Sequence, residues 1–306
     1  MSLPLVVLAA GLSTRFGRLK QLERLGPSGE AIMDYNVFDA LRAGFDEVTY
    51  VVRPQILEDV KAHVADVFGD SVHARFVLQD LASLPPGFRS PPDRRRPWGT
   101  AHAVLCAAEG VQGPMAVCNA DDLYGPAAFK QLYDYLTGDV PPSDAALIAY
   151  PLRDTLAGGG GVARGLCHVG RNGMLEHVIE VREIRRSDAW IVGIEGEDAP
   201  IDLTGDELVS MNLWGLKPSM IEGIRNQFRR FLDLWGAHAD REFFLSTAVN
   251  EHIQTYESRV HVLDSEDSWL GITYAEDRER FQSMLEHRIK AGAYPKNLTH
   301  GFVEKG

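Results

Sequence analysis

The sequence predicts an α/β protein with three layers, α/β/α, around a mixed and mainly parallel sheet. Two observations carry this. Short continuous apolar runs of strand length alternate with stretches whose apolar residues recur at helical spacing. The early strand runs are apolar on both faces, as a sheet covered by helices on each side requires. Composition agrees: of 306 residues, 45% are apolar and 24% charged, the mix of a soluble globular chain. A chain of this length can bury roughly three quarters of its unfolded surface. A disordered chain, a collagen-like chain and a disulfide miniprotein are excluded.

In order along the chain, Leu5-Val6-Val7-Leu8 runs into Gly11 and reads as a buried strand. Met33, Val37 and Leu41 fall at i, i+4 and i+8, so a helix is expected over 31–43, ending before Gly44. Val48 to Val52 is a strand stopped by Pro54; Ile56, Val60 and Val64 resume the helical spacing; Phe76 to Leu78 is a third strand. This β-α-β-α-β order implies parallel pairing. Leu84 to Pro97 holds five prolines and four arginines, which is loop chemistry, and Arg94-Arg95-Arg96 reads as a solvated turn. Trp98 to Ala108 reads as a helix, Pro114 to Cys118 as a buried strand, and a further helix is expected from near Pro126. Past Pro141 come a strand over 145–150, four glycines at 158–161, and a hairpin signal. In the hairpin Asn172-Gly173 splits Val162–Val169 from Met174–Val181. A strand at 208–216, a long helix marked by Ile221, Ile224, Phe228 and Phe231, a strand at 260–263 and a closing helix over 274–291 complete the pattern. No internal repeat and no clean linker divides the chain. One domain over 1–306 is expected, with a first half of about 1–140 and a second of about 141–306.

Charge and cysteine content narrow the partners. Lys plus Arg number 31 against 43 Asp plus Glu, a net charge of −12, which argues against a nucleic-acid partner. Cys106, Cys118 and Cys167 form no CxxC pair and read as buried thiols in a reducing compartment. No apolar run reaches the ~18 residues a membrane span needs. The apolar start, Leu3 to Leu12, lacks a basic segment ahead of it and reads as a strand, not a leader. A cytoplasmic protein without membrane contact is expected.

In an open parallel sheet, ligands bind beyond the carboxyl ends of the strands. After the first strand stands Gly11-Leu12-Ser13-Thr14-Arg15-Phe16-Gly17-Arg18-Leu19-Lys20. Glycines let backbone approach a ligand, Ser13 offers a hydroxyl, and Arg15, Arg18 and Lys20 supply three cations, a set suited to a polyphosphate. Neither GxGxxG nor GxxxxGK[ST] occurs. The competing reading is a basic surface turn. After the fourth strand comes Asn119-Ala120-Asp121-Asp122. Adjacent carboxylates repel unless a cation neutralises them, and hard oxygen ligands beside phosphates suit Mg²⁺. The competing reading there is a helix-capping cluster. No GxSxG elbow and no zinc spacing is found. His102 reads as structural, and Trp98, Trp214 and Trp269 as packing residues.

Leu8-Ala9-Ala10-Gly11-Leu12-Ser13-Thr14-Arg15-Phe16-Gly17…Lys20 resembles the LAAGxSxRxG…K signature of the nucleotidyltransferases, which include the sugar-1-phosphate nucleotidyltransferases or NDP-sugar pyrophosphorylases. Gly99-Thr100-Ala101-His102-Ala103 is similar to their GxAxA segment, and Asn119-Ala120-Asp121-Asp122 to their metal motif. The likeness is specific over 5–125 and continues more weakly to about 280. It implies a nucleotide-diphospho-sugar transferase-like fold and transfer of a nucleoside monophosphate from an NTP to a sugar 1-phosphate, with Mg²⁺ as cofactor. It also implies roles. Ala10, Gly11 and Ser13 would hold the nucleotide, and Gln79 and Gly99 would meet the base. A Gln amide suits the imide edge of uracil or thymine, so UTP or dTTP is favoured. Arg15 and Lys20 would grip the triphosphate, and Asp121 would bind the metal. Gly161 and Glu180 would meet the sugar hydroxyls.

Two departures bear on the acceptor. The family's WxDxGT supplies a second metal Asp, but Gly271 stands there, which leaves Asp267 or Asp277 as substitutes, or a single protein carboxylate as sufficient. The family's Glu-Lys-Pro reads Glu180-Val181-Arg182, so Arg182 replaces the sugar-phosphate Lys. The alternatives are a non-sugar acceptor of the phosphocholine or molybdopterin type, and a non-catalytic regulatory relative. A glycosyltransferase would carry DxD, which the chain lacks. A homo-oligomer is compatible with the sequence.

Overall fold

The computed structural model describes residues 2–11, 20–156, 160–187, 190–196, 199–256, 258–272, 277–299 and 301. The chain begins β1 (Pro4–Leu8), α1 (Ile32–Ala43), β2 (Glu47–Val52), α2 (Leu57–Phe68), β3 (Ala74–Leu78), α3 (Thr100–Ala108) and β4 (Met115–Asn119). It continues with β5 (Asp122–Leu123), α4 (Pro126–Thr137), β6 (Ala145–Pro151), β7 (Val162–Val169), β8 (Leu175–Ser187), β9 (Trp190–Glu195), β10 (Ala199–Leu203) and β11 (Leu208–Leu216). It ends with α5 (Pro218–Trp235), α6 (Leu245–Tyr256), β12 (Val260–Asp264), β13 (Leu270–Gly271) and α7 (Asp277–Lys290).

Alternation along β1 builds the three layers. Leu5 and Val7 point into a core with Met33 and Val37 of α1, Val60 of α2 and Phe129 of α4. Val6 points the other way, among Ala101 and Val104 of α3, Ile224 and Phe228 of α5 and Val249 of α6. Both faces are therefore dry, and each fully buried Val or Leu contributes about 1.5–3 kcal/mol. α7 lies outside this sandwich: its Phe281 and Leu285 pack on Tyr35 and Phe38 of α1.

The strands β3-β2-β1-β4 pair in parallel, with Val6 between Thr49 and Val117. β11 then runs antiparallel to β4, and β7, β8, β9 and β10 extend the sheet antiparallel to one another. On its other side β11 pairs antiparallel with β6, which pairs in parallel with β12. The sheet is mixed, as expected; its parallel pairing is concentrated in the first half, and the antiparallel extension is larger than a mainly parallel balance implies. α6, β9, β10 and the two-stranded pair of β5 with β13 are additions to the pattern expected from the sequence. The helix after Trp98 begins at Thr100, because Gly99 adopts φ 103° and Trp98 is fully buried.

One expectation is corrected outright. Arg94 is not part of a solvated turn: it is 1% exposed and donates to the carbonyls of Arg96, Pro97, His238 and Arg241. Its guanidinium lies 3.6 Å from the Trp98 ring centroid. A loop of 14 residues needs an anchor, and five donors in a fixed fork suit several carbonyls at once.

Candidate active site

The strand order sets the place. From β1 the chain moves outward to β2 and β3, then returns to β4 on the opposite side of β1. Ligands bind at such a reversal, outside the carboxyl ends of the two strands. Here those ends carry Ala10 and Gly11 after β1, and Asn119 to Asp122 after β4.

A second feature opens the site. One edge of β11 pairs with β7 at Val209 and Ser210, and with β4 from Trp214 onward. Between these points β7 and β4 diverge, and the register against β6 shifts between Ser210 and Leu213. Asn212 in this bulge has φ 60°, a conformation Asn tolerates better than most side chains. Tyr124 ties the fork together, since its hydroxyl donates to Met211 O (2.6 Å) and accepts from Asn119 N (3.0 Å). The cavity in the fork measures about 340 Å³. Lys20, Asp121, Asp122, Arg164, Glu180 and Asn212 are among the residues lining it.

Its electrostatics follow from these groups. Lys20 Nζ donates to Asp121 Oδ2 at 2.6 Å. Asp122 is buried, and its Oδ2 accepts from Asn119 Nδ2 at 2.8 Å. Burial, and then the charge of Asp121, push the Asp122 carboxyl up to about 7. Arg164 donates from Nε and Nη2 to Thr155 Oγ1 (3.2 Å) and O (2.5 Å), and from Nη1 to Ala163 O (2.8 Å). Its guanidinium sits 5.2 Å from the Trp269 ring centroid.

The expected residues divide. Lys20, Asp121 and Glu180 meet at the cavity. Ala10 is buried and Gly11 exposed, with Gly11 O accepting from Gln21 Nε2 at 2.8 Å. Ser13 and Arg15 lie outside the described residues, as do two of the four glycines at 158–161. Gln79 and Gly99 come together as partners of one another: Gln79 Nε2 donates to Gly99 O at 2.8 Å, and Gln79 is buried. His102 joins them, with Nδ1 3.3 Å from Gln79 Nε2 and Nε2 2.8 Å from Ser83 O. Burial, above all, lowers the His102 imidazole to about 4, which favours its neutral form. A glycine is required at 99 because a Cβ there would lie 2.4 Å from Phe243 O. Gly161 abuts Glu183: a Cβ there would lie 2.6 Å from the Glu183 carboxylate. Arg182 does not join the cavity lining; it donates to Gly196 O at 2.6 Å. Arg164, Ser210, Asn212, Phe244 and Ser246 line the cavity without having been singled out. The one available signal was a charged Arg near the start of the strand run that follows the glycines.

The second carboxylate position has a clear account. Gly271 of β13 faces Asp122 of β5 across the small sheet. A Cβ at Gly271 would lie 2.3 Å from the Trp269 ring and 3.0 Å from Asp122 Oδ1. The Trp269 indole fills that space, so no side chain fits there. Asp267 is not a substitute, because its Oδ2 accepts from Ala127 N (2.6 Å) and Ala128 N (3.3 Å) and caps α4. Among the described residues no three His, Cys, Asp or Glu side chains converge as a metal cage. Asp121 and Asp122 instead suit a hard ion that takes most of its ligands from phosphates and water, as Mg²⁺ does.

A doubly covered sheet, a crevice at its reversal point, and a Lys beside paired carboxylates are the arrangement expected from the resemblance to the nucleotidyltransferases. Residues 5–155 match the family model of the MobA-like NTP transferase domain; the chain carries that domain and is an enzyme of the nucleotidyltransferase type. Two solved structures are similar over nearly the whole chain. One is the inositol-1-phosphate CTP transferase from T. maritima, 13% identical, covering 94% of this chain and 96% of that one, with a TM-score of 0.62. The other is UDP-glucose pyrophosphorylase complexed with UDP-glucose, 16% identical, covering 94% and 100%, with a TM-score of 0.59. At these identities the likeness is one of fold. No curated protein matches the chain.

Proposed function

We propose that this protein transfers a nucleoside monophosphate from an NTP to a sugar 1-phosphate, releasing pyrophosphate and giving an NDP-sugar. The supporting observation is that one cavity holds Lys20 and Asp121 from the first half beside Glu180, Ser210 and Asn212 from the second. The first set suits phosphates; the second is rich in groups that bond hydroxyls. The names of the two similar structures, for an inositol 1-phosphate and a glucose nucleotide, point to the same acceptor class. A phosphocholine site would need an aromatic cage. Of the aromatic residues at this cavity, Trp269 already has the Arg164 guanidinium over its ring, leaving Phe244.

The phosphate oxygen of the acceptor attacks the α-phosphorus. The bond to the pyrophosphate oxygen breaks as the new one forms, and no proton transfer is needed. The protein's task is to align two anions and offset their repulsion. Lys20 grips the triphosphate, and Arg15 acts with it. Mg²⁺ held by Asp121, with Asp122 beside it, supplies charge neutralisation when bound. The expected preference for UTP or dTTP gains no support from Gln79, because both N–H groups of its amide are engaged, one by Gly99 O and one by His102 Nδ1.

The test is pyrophosphate release from each NTP with hexose 1-phosphates, inositol 1-phosphate and phosphocholine. Release only with phosphocholine, or with no acceptor, sinks the sugar reading. Lys20→Ala should lower kcat as well as raise KM, because its contact strengthens as the leaving group gains charge. Lys20→Arg should restore it incompletely.

A further inference from the structure

Arg164 enters the cavity as a half-buried cation. Among the described residues no carboxylate lies within ion-pair distance of it. Lys20, the other cation of the lining, is already paired with Asp121. A guanidinium cannot discharge in a protein, and a buried charge without a partner is costly. Asp121, Asp122 and Asp277 attract it from a distance only.

Its geometry is set before any ligand arrives. Thr155 takes two of its N–H groups and Ala163 a third, and Trp269 backs the plane. Two of the five guanidinium N–H donors remain. Two N–H groups on one planar fork match two oxygens of a phosphate, and a fork fixed in advance loses little entropy on binding. Trp269 reaches this position because Gly271 has no side chain. Arg182, expected at this task from its place two residues after Glu180, is turned to Gly196 O instead.

We propose that Arg164 is the binding site for the acceptor's phosphate. It holds two phosphate oxygens from the β7 wall and leaves a third to attack the α-phosphorus. That the anion is a sugar phosphate rests on the function proposed above; that an anion binds at Arg164 does not.

The experiment uses the full chain with Arg164→Gln, Arg164→Lys and Lys20→Ala. Thermal shifts are recorded with inorganic phosphate, glucose 1-phosphate and, as the neutral control, glucose. Wild type and Lys20→Ala should be stabilised by glucose 1-phosphate beyond glucose; Arg164→Gln should lose that difference, and Arg164→Lys should keep part of it. In turnover, Arg164→Gln should raise the acceptor KM about 10- to 100-fold, the range for lost charge-assisted hydrogen bonds. The KM for the NTP should stay within about twofold of wild type. If Arg164→Gln does not fold, the same KM split in Arg164→Lys decides, since Lys keeps the charge and loses the fork. A wild-type response to glucose 1-phosphate in Arg164→Gln, or an unchanged acceptor KM, overturns the proposal while leaving nucleotidyl transfer intact. Phosphate-dependent stabilisation that needs Arg164, in a protein that releases no pyrophosphate with any pair, upholds the anion site and overturns the proposed reaction.

Discussion

Asp39 is a carboxyl on α1 with almost no access to water. Its Oδ2 accepts from Tyr294 OH at 2.7 Å, and its Oδ1 has no partner among the described residues. Burial, above all, pushes it up to about 8. Between the ordinary Asp value near 4 and that raised value, the folded state holds a proton that the unfolded state releases. Stability is therefore greatest below this window and falls as pH rises through it, until the loss is complete above about 8. Asp39→Asn has no such proton, so its urea midpoint should gain on wild type between pH 5 and pH 9. Parallel pH dependences in the two proteins would contradict this. At the cavity, Asp121→Asn should fold normally and lose two or more orders of magnitude in Mg²⁺-dependent pyrophosphate release, roughly the worth of one pre-organised electrostatic contact. If Asp122→Asn is dead and Asp121→Asn is not, the wrong carboxylate has been assigned. Lys20, Asp121 and the Gly11 turn were legible in the sequence because Gly11 and Lys20 belong to the glycine-containing basic stretch after β1 and Asp121 to the acidic pair after β4. Arg164 and Asn212 were not, because what makes them neighbours of Asp121 is the divergence of β7 from β4, and no local spacing encodes that.

At the scale of elements, β1 to β4 and their helices were readable because dry strands and one-sided helices leave different apolar periods. α6 was missed: its buried positions, Leu245, Ala248, Val249 and His252, include a small and a polar residue, so its stripe is faint. The β11 bulge was invisible because a bulge is a mismatch between two strands and has no signature in one. Its test lies at Asn212, where φ is 60°. Asn212→Gly should stay within about 1 kcal/mol of wild-type stability, whereas Asn212→Val should cost about 1–3 kcal/mol, since a β-branched side chain resists that conformation. Equal chemical-denaturation midpoints for the two would mean that the bulge relaxes freely. Arg94 is the element-scale counterpart in the proline-rich loop. Arg94→Met should lower stability by about 3 kcal/mol or more, because it leaves four carbonyls without their donor. A melting temperature close to wild type would show that water replaces the guanidinium.

For the whole molecule, the matched family domain ends at 155, but the sheet does not divide there. Among the described residues β6 has only β11 and β12 as strand partners, and β4 has β11 along one edge. A fragment of residues 1–155 would strip β6 of both its strand partners and bare an edge of β4, the condition that promotes strand-to-strand aggregation. It should be insoluble alone and recover when co-expressed with residues 156–306. A soluble, cooperatively melting fragment would establish two domains where one is proposed. No helix among the described residues is long and apolar enough to cross a membrane.

The fork also sets a rule for recombining this chain with its relatives. β11 is hydrogen-bonded to strands from both halves, and its Ser210–Asn212 bulge forms part of the cavity wall. A chimera joined at 140 therefore imports the donor parent's bulge with its acceptor half, and sets a foreign strand against the recipient's β4. A graft of 152–206 alone keeps β11 and β4 from one parent. It exchanges Arg164 and Glu180 and leaves Asn212 behind. Comparing the two grafts would separate the share of acceptor choice carried by the hairpin from the share carried by the strand that both halves hold in common.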